Sequence, residues 1–131
     1  MRIYTSYFGL SRRIRKEHPD FAQIAICGKL VFPWDGLTYQ VLAPKKWFFD
    51  EWKADHDDAK YVERFNDEVL GKLDRDHVLA DLGRLAGGDD KTAVLMCYEK
   101  LGDFCHRHLV AKWLGDVEEL QLEPTQETLD L

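Results

Sequence analysis

A chain of 131 residues and 15.3 kDa suits a single domain, large enough to bury roughly two-thirds of its unfolded surface in one core. Its 45% hydrophobic and 12% aromatic content excludes a disordered chain, and apolar runs of only a handful of residues exclude a bilayer-spanning segment. The formal charge of −6 conceals a split: residues 1–46 carry a net +5, residues 47–96 a net −6, and the stretch 116–131 holds six acids and no base. Attraction for anions must therefore come from the first third, and a pI near 5.3 argues against strong non-specific DNA binding. The first residues lack the charged, apolar, small-residue order of a secretory leader. The three cysteines have no disulfide-like spacing and read as reduced thiols, so a cytoplasmic protein is expected.

Residues 2–8, RIYTSYF, are rich in β-branched and aromatic types and stop at Gly9, which predicts a first strand and a tight turn. A short basic loop or helix follows, with Arg12, Arg13, Arg15 and Lys16 around Leu10 and Ile14, and His18-Pro19 ends it. Residues 21–27, FAQIAIC, read as a second, largely buried strand closed by Gly28, and residues 29–36 as a loop. A short strand is expected within 37–42. Pro44 suits the first turn of a helix whose Trp47, Phe48 and Trp52 form an aromatic face.

The acidic run at 55–58 then offers an N-cap to a helix with apolar positions at Tyr61, Val62, Phe65, Val69 and Leu73. Asp74 or Asp76 caps a further helix that ends at Gly87-Gly88. Residues 92–98 are apolar on both faces, as a central parallel strand is, and Asp103 is expected to cap a last helix over 104–114. These elements predict a small layered α/β fold with a mainly parallel sheet flanked by helices, the domain occupying 1–115 and an acidic tail 116–131, where 120–122 could add an edge strand. Ligands of such sheets bind beyond the carboxyl ends of the strands. The loops after residues 8 and 98 both lie there if their strands are neighbours.

The chemistry is concentrated in KTAVLMCYEKLGDFCHRHLVAKWL, residues 91–114. His106, Leu109, Val110, Trp113 and Leu114 form the inward stripe of the last helix. Cys105, placed near its second position, would feel the unpaired N–H groups and the helix dipole, which lower a thiol pKa. The candidate catalytic residues are therefore Cys97, Glu99, Cys105 and His106, the thiols as nucleophile or redox group and His106 or Glu99 moving the proton. Arg107, Lys100, Arg12 and Arg13 are the candidate anion holders.

A phosphatase-like oxyanion loop needs a closer Cys-to-Arg spacing than that of Cys97 and Arg107. A metal site built from Cys97, Cys105, His106 and His108 is not expected, because adjacent helical residues point about 100° apart and no Cys-x-x-Cys pair is present. The structural alternative makes the cysteines core fillers, has His106 bonded to a backbone carbonyl and pairs Arg107 with Glu99 or Asp103.

YTSYFG, LAPKKWFFDEWK and LMCYEKLGDFCHRHLVAKWL together resemble the domain of unknown function 488 family over most of residues 2–115. The resemblance implies an α/β fold and singles out Cys97, Glu99, Lys100, Cys105, His106 and Arg107 as motif positions. It carries no reaction and specifies no cofactor. The leading expectation is an anionic ligand, a nucleotide or nucleic-acid end, held between the basic loop after the first strand and the Cys-His-Arg helix start. The alternative is a non-catalytic module whose acidic surface engages a protein partner.

Overall fold

A computed structural model of the protein describes residues 1–30, 32–98 and 105–122. β1 (Arg2–Tyr7), β2 (Ala22–Ala25), β3 (Leu37–Thr38), β4 (Thr92–Cys97) and β5 (Glu118–Glu119) form one sheet in the order β3-β2-β4-β1-β5, every pairing parallel. The fold is the expected layered α/β arrangement. Ala93 to Cys97 are all buried, which is the reason β4 carries no polar alternation: it lies mid-sheet with helices on both faces.

The strand's two faces feed different cores. Ala93, Leu95 and Cys97 join the larger one, formed with α2 (Lys46–Asp55), α3 (Asp58–Glu68), α4 (Arg75–Ala86) and α5 (His106–Leu114). Val94 and Met96 face the smaller one with Ile14 of α1 (Ser11–Glu17) and Leu120. Full burial of each such aliphatic side chain contributes about 1.5–3 kcal/mol, so this six-residue strand is the energetic centre of the domain.

Helix limits follow local chemistry. Asp57 and Asp74 occupy the N-caps of α3 and α4, each accepting a backbone N–H three residues on at 3.0 Å. α4 ends at Gly87, whose φ of 98° an L side chain would resist. The last carbonyl of α5, that of Leu114, accepts from the Arg75 guanidinium, which ties the start of α4 to the end of α5. Pro44 precedes α2 rather than starting it. The aromatic face of α2 is divided: Phe48 is buried, Trp47 is half exposed under the Arg64 guanidinium.

Two boundaries expected from sequence move. Residues 118–122, assigned to the tail, belong to the domain: β5 pairs with β1, Leu120 donates to Thr5 O at 2.8 Å, and Leu120 is buried. Residues 123–131 lie outside the described residues. The last helix starts at His106 with Cys105 as its N-cap, so Cys105 is not inside the first turn; Asp103, its expected cap, is outside the described residues. No helix among the described residues is long and apolar enough to cross a membrane.

Beyond β3 the chain is anchored by Tyr39, which donates its N–H to Ala25 O at 2.8 Å and its hydroxyl to Asp81 Oδ2 at 2.5 Å. That hydroxyl, and after it Arg84, holds the Asp81 carboxyl below the usual range. Because the folded value is depressed, the stabilisation is complete above the unfolded value near about 3.9 and is lost as pH falls through the folded one. Tyr39→Phe is expected to lower the urea midpoint at neutral pH, and the gap from the parent should close in acid. A gap that stays constant down to strongly acid pH would show that Asp81 is not the partner that matters.

Candidate functional site

β1 and β4 are neighbours, and their carboxyl ends are in register, Tyr7 beside Cys97. The chain leaving β1 enters α1, whose Ile14 packs under Val94 and Met96; the chain leaving β4 enters α5 on the opposite face. Connections that part to opposite faces from adjacent parallel strands open a crevice at the strand ends, where α/β proteins bind ligands. In this sheet the two connections part beside Tyr7 and Cys97.

On the α5 side the structure brings Cys97, Cys105, His106 and Arg107 together. The sulfurs of Cys97 and Cys105 are bonded at 2.06 Å, which corrects the expectation of reduced thiols throughout. The N-cap of α5 lies against the end of β4, a juxtaposition that a spacing of eight residues does not reveal. Only Cys27 has no such bond, and its buried sulfur lies 3.8 Å from Lys29 O.

His106 is turned inward as its stripe position requires, 7% exposed, with its ring 5.5 Å from that of Phe65. Its Nε2 lies 2.8 Å from Ile26 O. A carbonyl only accepts, so Nε2 carries the proton and Nδ1 presents a lone pair. That atom lies 3.9 Å from Cys105 Sγ. Burial lowers the His106 pKa to about 4, against which the Ile26 hydrogen bond works only in part, so the ring is neutral at pH 7. No imidazolium is stored beside the thiol, and the ring acts as an oriented acceptor.

Arg107 departs from the role expected of it. Its side chain is fully buried and forms a bidentate pair with Glu119, Nε to Oε1 at 3.1 Å and Nη2 to Oε2 at 2.9 Å. Thr5 adds a hydroxyl to the same carboxylate at 2.6 Å, and Tyr7 lies with its ring centroid 5.9 Å from the guanidinium. The remaining Nη1 donates to Cys97 Sγ at 3.6 Å. A guanidinium buried with its fork occupied in this way is not presented to a ligand in solution. Glu119 is the carboxylate that Arg107 meets among the described residues; Glu99 and Asp103, the partners expected from sequence, lie outside them.

Arg12 and Arg13 lie in α1, across the sheet from α5, Arg12 exposed and Arg13 paired with Glu17 at 3.0 Å. They belong to the helix that covers the face of the sheet opposite to α5. Glu99 and Lys100 lie outside the described residues. The sequence alternative that bonded His106 to a backbone carbonyl holds, with Ile26 as the partner it did not name; the sequence reading missed two groups: Glu119, placed in the tail, and the rings of Phe32 and Trp34, which meet Phe8 at 5.0 Å each, with Tyr98 at 5.1 Å. Only the Leu120 and Leu122 alternation hinted at the first. A second cleft of about 410 Å³ near the ends of β2 and β3 is lined by Gly28, Lys45, Glu68 and Lys72, with Glu68 bridging both lysines.

No curated protein and no solved structure matches the chain. Residues 29–118, which include the LAPKKWFFDEWK segment and the Cys97, Cys105 and His106 positions, match the family model described as the active DUF488-N3 subclade, and the protein therefore belongs to the DUF488 family of domains of unknown function.

Proposed function

We propose that the protein binds an anionic ligand, a nucleotide or nucleic-acid end, in the crevice between β1 and β4 and presents to it a reactive cysteine pair. The observation that carries this reading is the fully buried Arg107 Nη1 donor 3.6 Å from the buried Cys97 Sγ at the end of β4. A fixed positive group beside a sulfur favours the thiolate, the form that attacks. Cys105, bonded to Cys97 in the structure and facing the His106 lone pair, is the resolving partner. Opening the pair consumes two equivalents of a thiol reductant, which leave as a disulfide while Cys97 and Cys105 each gain a proton. Arg12 and Arg13, on the far wall, supply the positive charge for the ligand, and the Phe8, Phe32, Trp34 and Tyr98 rings a surface on which a base stacks.

The test is alkylation of the reduced protein with iodoacetamide, each cysteine followed by peptide mass. Cys97 should react faster than Cys27 at neutral pH, with a nucleotide or short oligonucleotide slowing it, and Arg12→Ala/Arg13→Ala should remove that protection without changing the unprotected rate. Equal, slow rates at all three cysteines would overturn the thiol half of the reading. Protection by no anion would overturn the ligand half, and the acidic-surface interaction module would then be preferred.

A further inference from the structure

The sulfurs of Cys97 and Cys105 and a ring nitrogen of His106 lie within 4.8 Å of one another, all three residues buried. From this cluster we infer that the reduced protein holds a thiophilic divalent cation of the zinc type on Cys97, Cys105 and His106 Nδ1. The inference rests on the preceding reading only in that the two sulfurs must be reducible.

Three independent observations support it. His106 is oriented as metal-bound imidazoles are: its Nε2–H is fixed on the Ile26 carbonyl at 2.8 Å, so the other nitrogen is the unprotonated donor and is aimed at Cys105. The Cα atoms of Cys97 and Cys105 stand 7.6 Å apart. That exceeds the span of about 4.4–6.8 Å usual for a disulfide. Metal–sulfur bonds of about 2.3 Å at a tetrahedral ion hold two sulfurs roughly 3.8 Å apart, a separation that this wider backbone spacing accommodates.

The third observation is charge. Two thiolates and a neutral imidazole offset a dication, and the adjoining Arg107 and Glu119 offset each other, so the buried assembly is neutral as a whole. Arg107 Nη1 on Cys97 Sγ is then an outer-shell donor to a ligating thiolate.

Soft sulfur and imidazole donors select zinc-type ions over magnesium or calcium. Two cysteines and one histidine supply three of four tetrahedral positions, the pattern of ligand sets that leave one place for water or substrate. Binding releases two thiol protons to solvent and transfers no electrons, whereas the bonded form of the pair has no thiolate to offer. Loading therefore requires prior reduction by a thiol, two of which become a disulfide as Cys97 and Cys105 become thiols. The objection drawn from sequence, that neighbouring helical residues diverge, does not apply because Cys105 is the non-helical N-cap, with φ −155° and ψ 142°.

Cobalt(II) is the probe. Titrating the full-length, thiol-reduced protein without oxygen should give one equivalent of tight binding, with the visible bands of tetrahedral cobalt and a sulfur-to-cobalt charge-transfer band, both bleached by one equivalent of zinc. Magnesium should not bleach them. Cys27→Ser should bind as the parent does. Cys105→Ser and His106→Gln should weaken binding by more than about 100-fold, beyond the cost of outer-shell changes. The parent titration needs no variant to fold, and far-ultraviolet circular dichroism of the same sample checks that reduction leaves the domain intact.

A folded, reduced parent that binds no cobalt, or gives only the weak spectrum of an octahedral ion, overturns the inference. If Cys97 still alkylates rapidly in that protein, the reactive-pair reading stands without the metal. Tight tetrahedral binding with ordinary alkylation rates after chelation leaves the metal site standing and removes the reactive pair.

Discussion

Arg107→Leu is expected to destabilise the domain by about 3–5 kcal/mol at neutral pH, the cost of leaving one member of a buried ion pair without the other. The guanidinium is fully buried and Glu119 is 14% exposed, so solvent cannot replace the lost charge at the carboxylate. Glu119 would keep one donor, the Thr5 hydroxyl, where the fold supplies three. The damage should reach both sides of the pair, because Arg107 belongs to α5 and Glu119 to β5, the strand that closes the sheet edge beside β1.

The informative comparison is the double variant Arg107→Leu/Glu119→Leu. Removing both charges removes the desolvation cost along with the attraction, so this protein should recover most of the stability lost in the single variant. Urea unfolding at fixed redox state measures both. A single-variant cost below about 1 kcal/mol would match an exposed ion pair and contradict the buried network.

Phe65→Ala is expected to cost about 3–5 kcal/mol by opening a cavity at the centre of the larger core. Phe65 is fully buried, stacked on Tyr61 at 6.1 Å, edge-on to Phe48 at 6.4 Å and tilted against His106 at 5.5 Å. The last contact makes the prediction more than one of stability. Phe65 is one wall of the His106 site, so the cavity frees the ring that the Ile26 carbonyl orients. With the Cys97–Cys105 pair reduced in both proteins and the variant still folded, Cys105 should alkylate faster than in the parent, since its neighbour is no longer held. Loss of stability with unchanged Cys105 reactivity would show that Ile26 alone fixes the ring. Val69→Ala, a core truncation in the same cluster without a ring contact to His106, separates general loosening from the specific effect.

Much of the architecture was legible because it is local. The apolar run of β4, the caps at Asp57 and Asp74, the glycine stop of α4 and the inward stripe of α5 each depend on residues within one or two turns of one another. Periodicity and capping chemistry report such features directly. The place of the chemical residues in the sheet was legible for a related reason: a parallel sheet places its ligand loops at the carboxyl ends of its strands, so a cluster of such residues after the most apolar strand is near that edge before any packing is known.

Which side chains meet there was decided by contacts that only the folded chain makes. Burial of His106 followed from its helical phase, but its proton is placed by Ile26, eighty residues away. The spacing of Cys97 and Cys105 says nothing about pairing; the packing of α5 against the sheet puts its N-cap beside the end of β4. Arg107 looked like an anion holder because an arginine near a helix start commonly is one, and Glu119 looked like a tail acid because the last residues are acidic. Parallel pairing of β5 with β1 brings that acid to the arginine and turns two expected surface charges into one buried pair. Sequence by itself determined the elements, their caps and the end of the sheet where chemistry gathers, since those depend on neighbours along the chain. Tertiary structure alone decided which side chains meet, because the energies of a buried ion pair, a histidine tautomer and a sulfur pair are set by partners that only folding supplies.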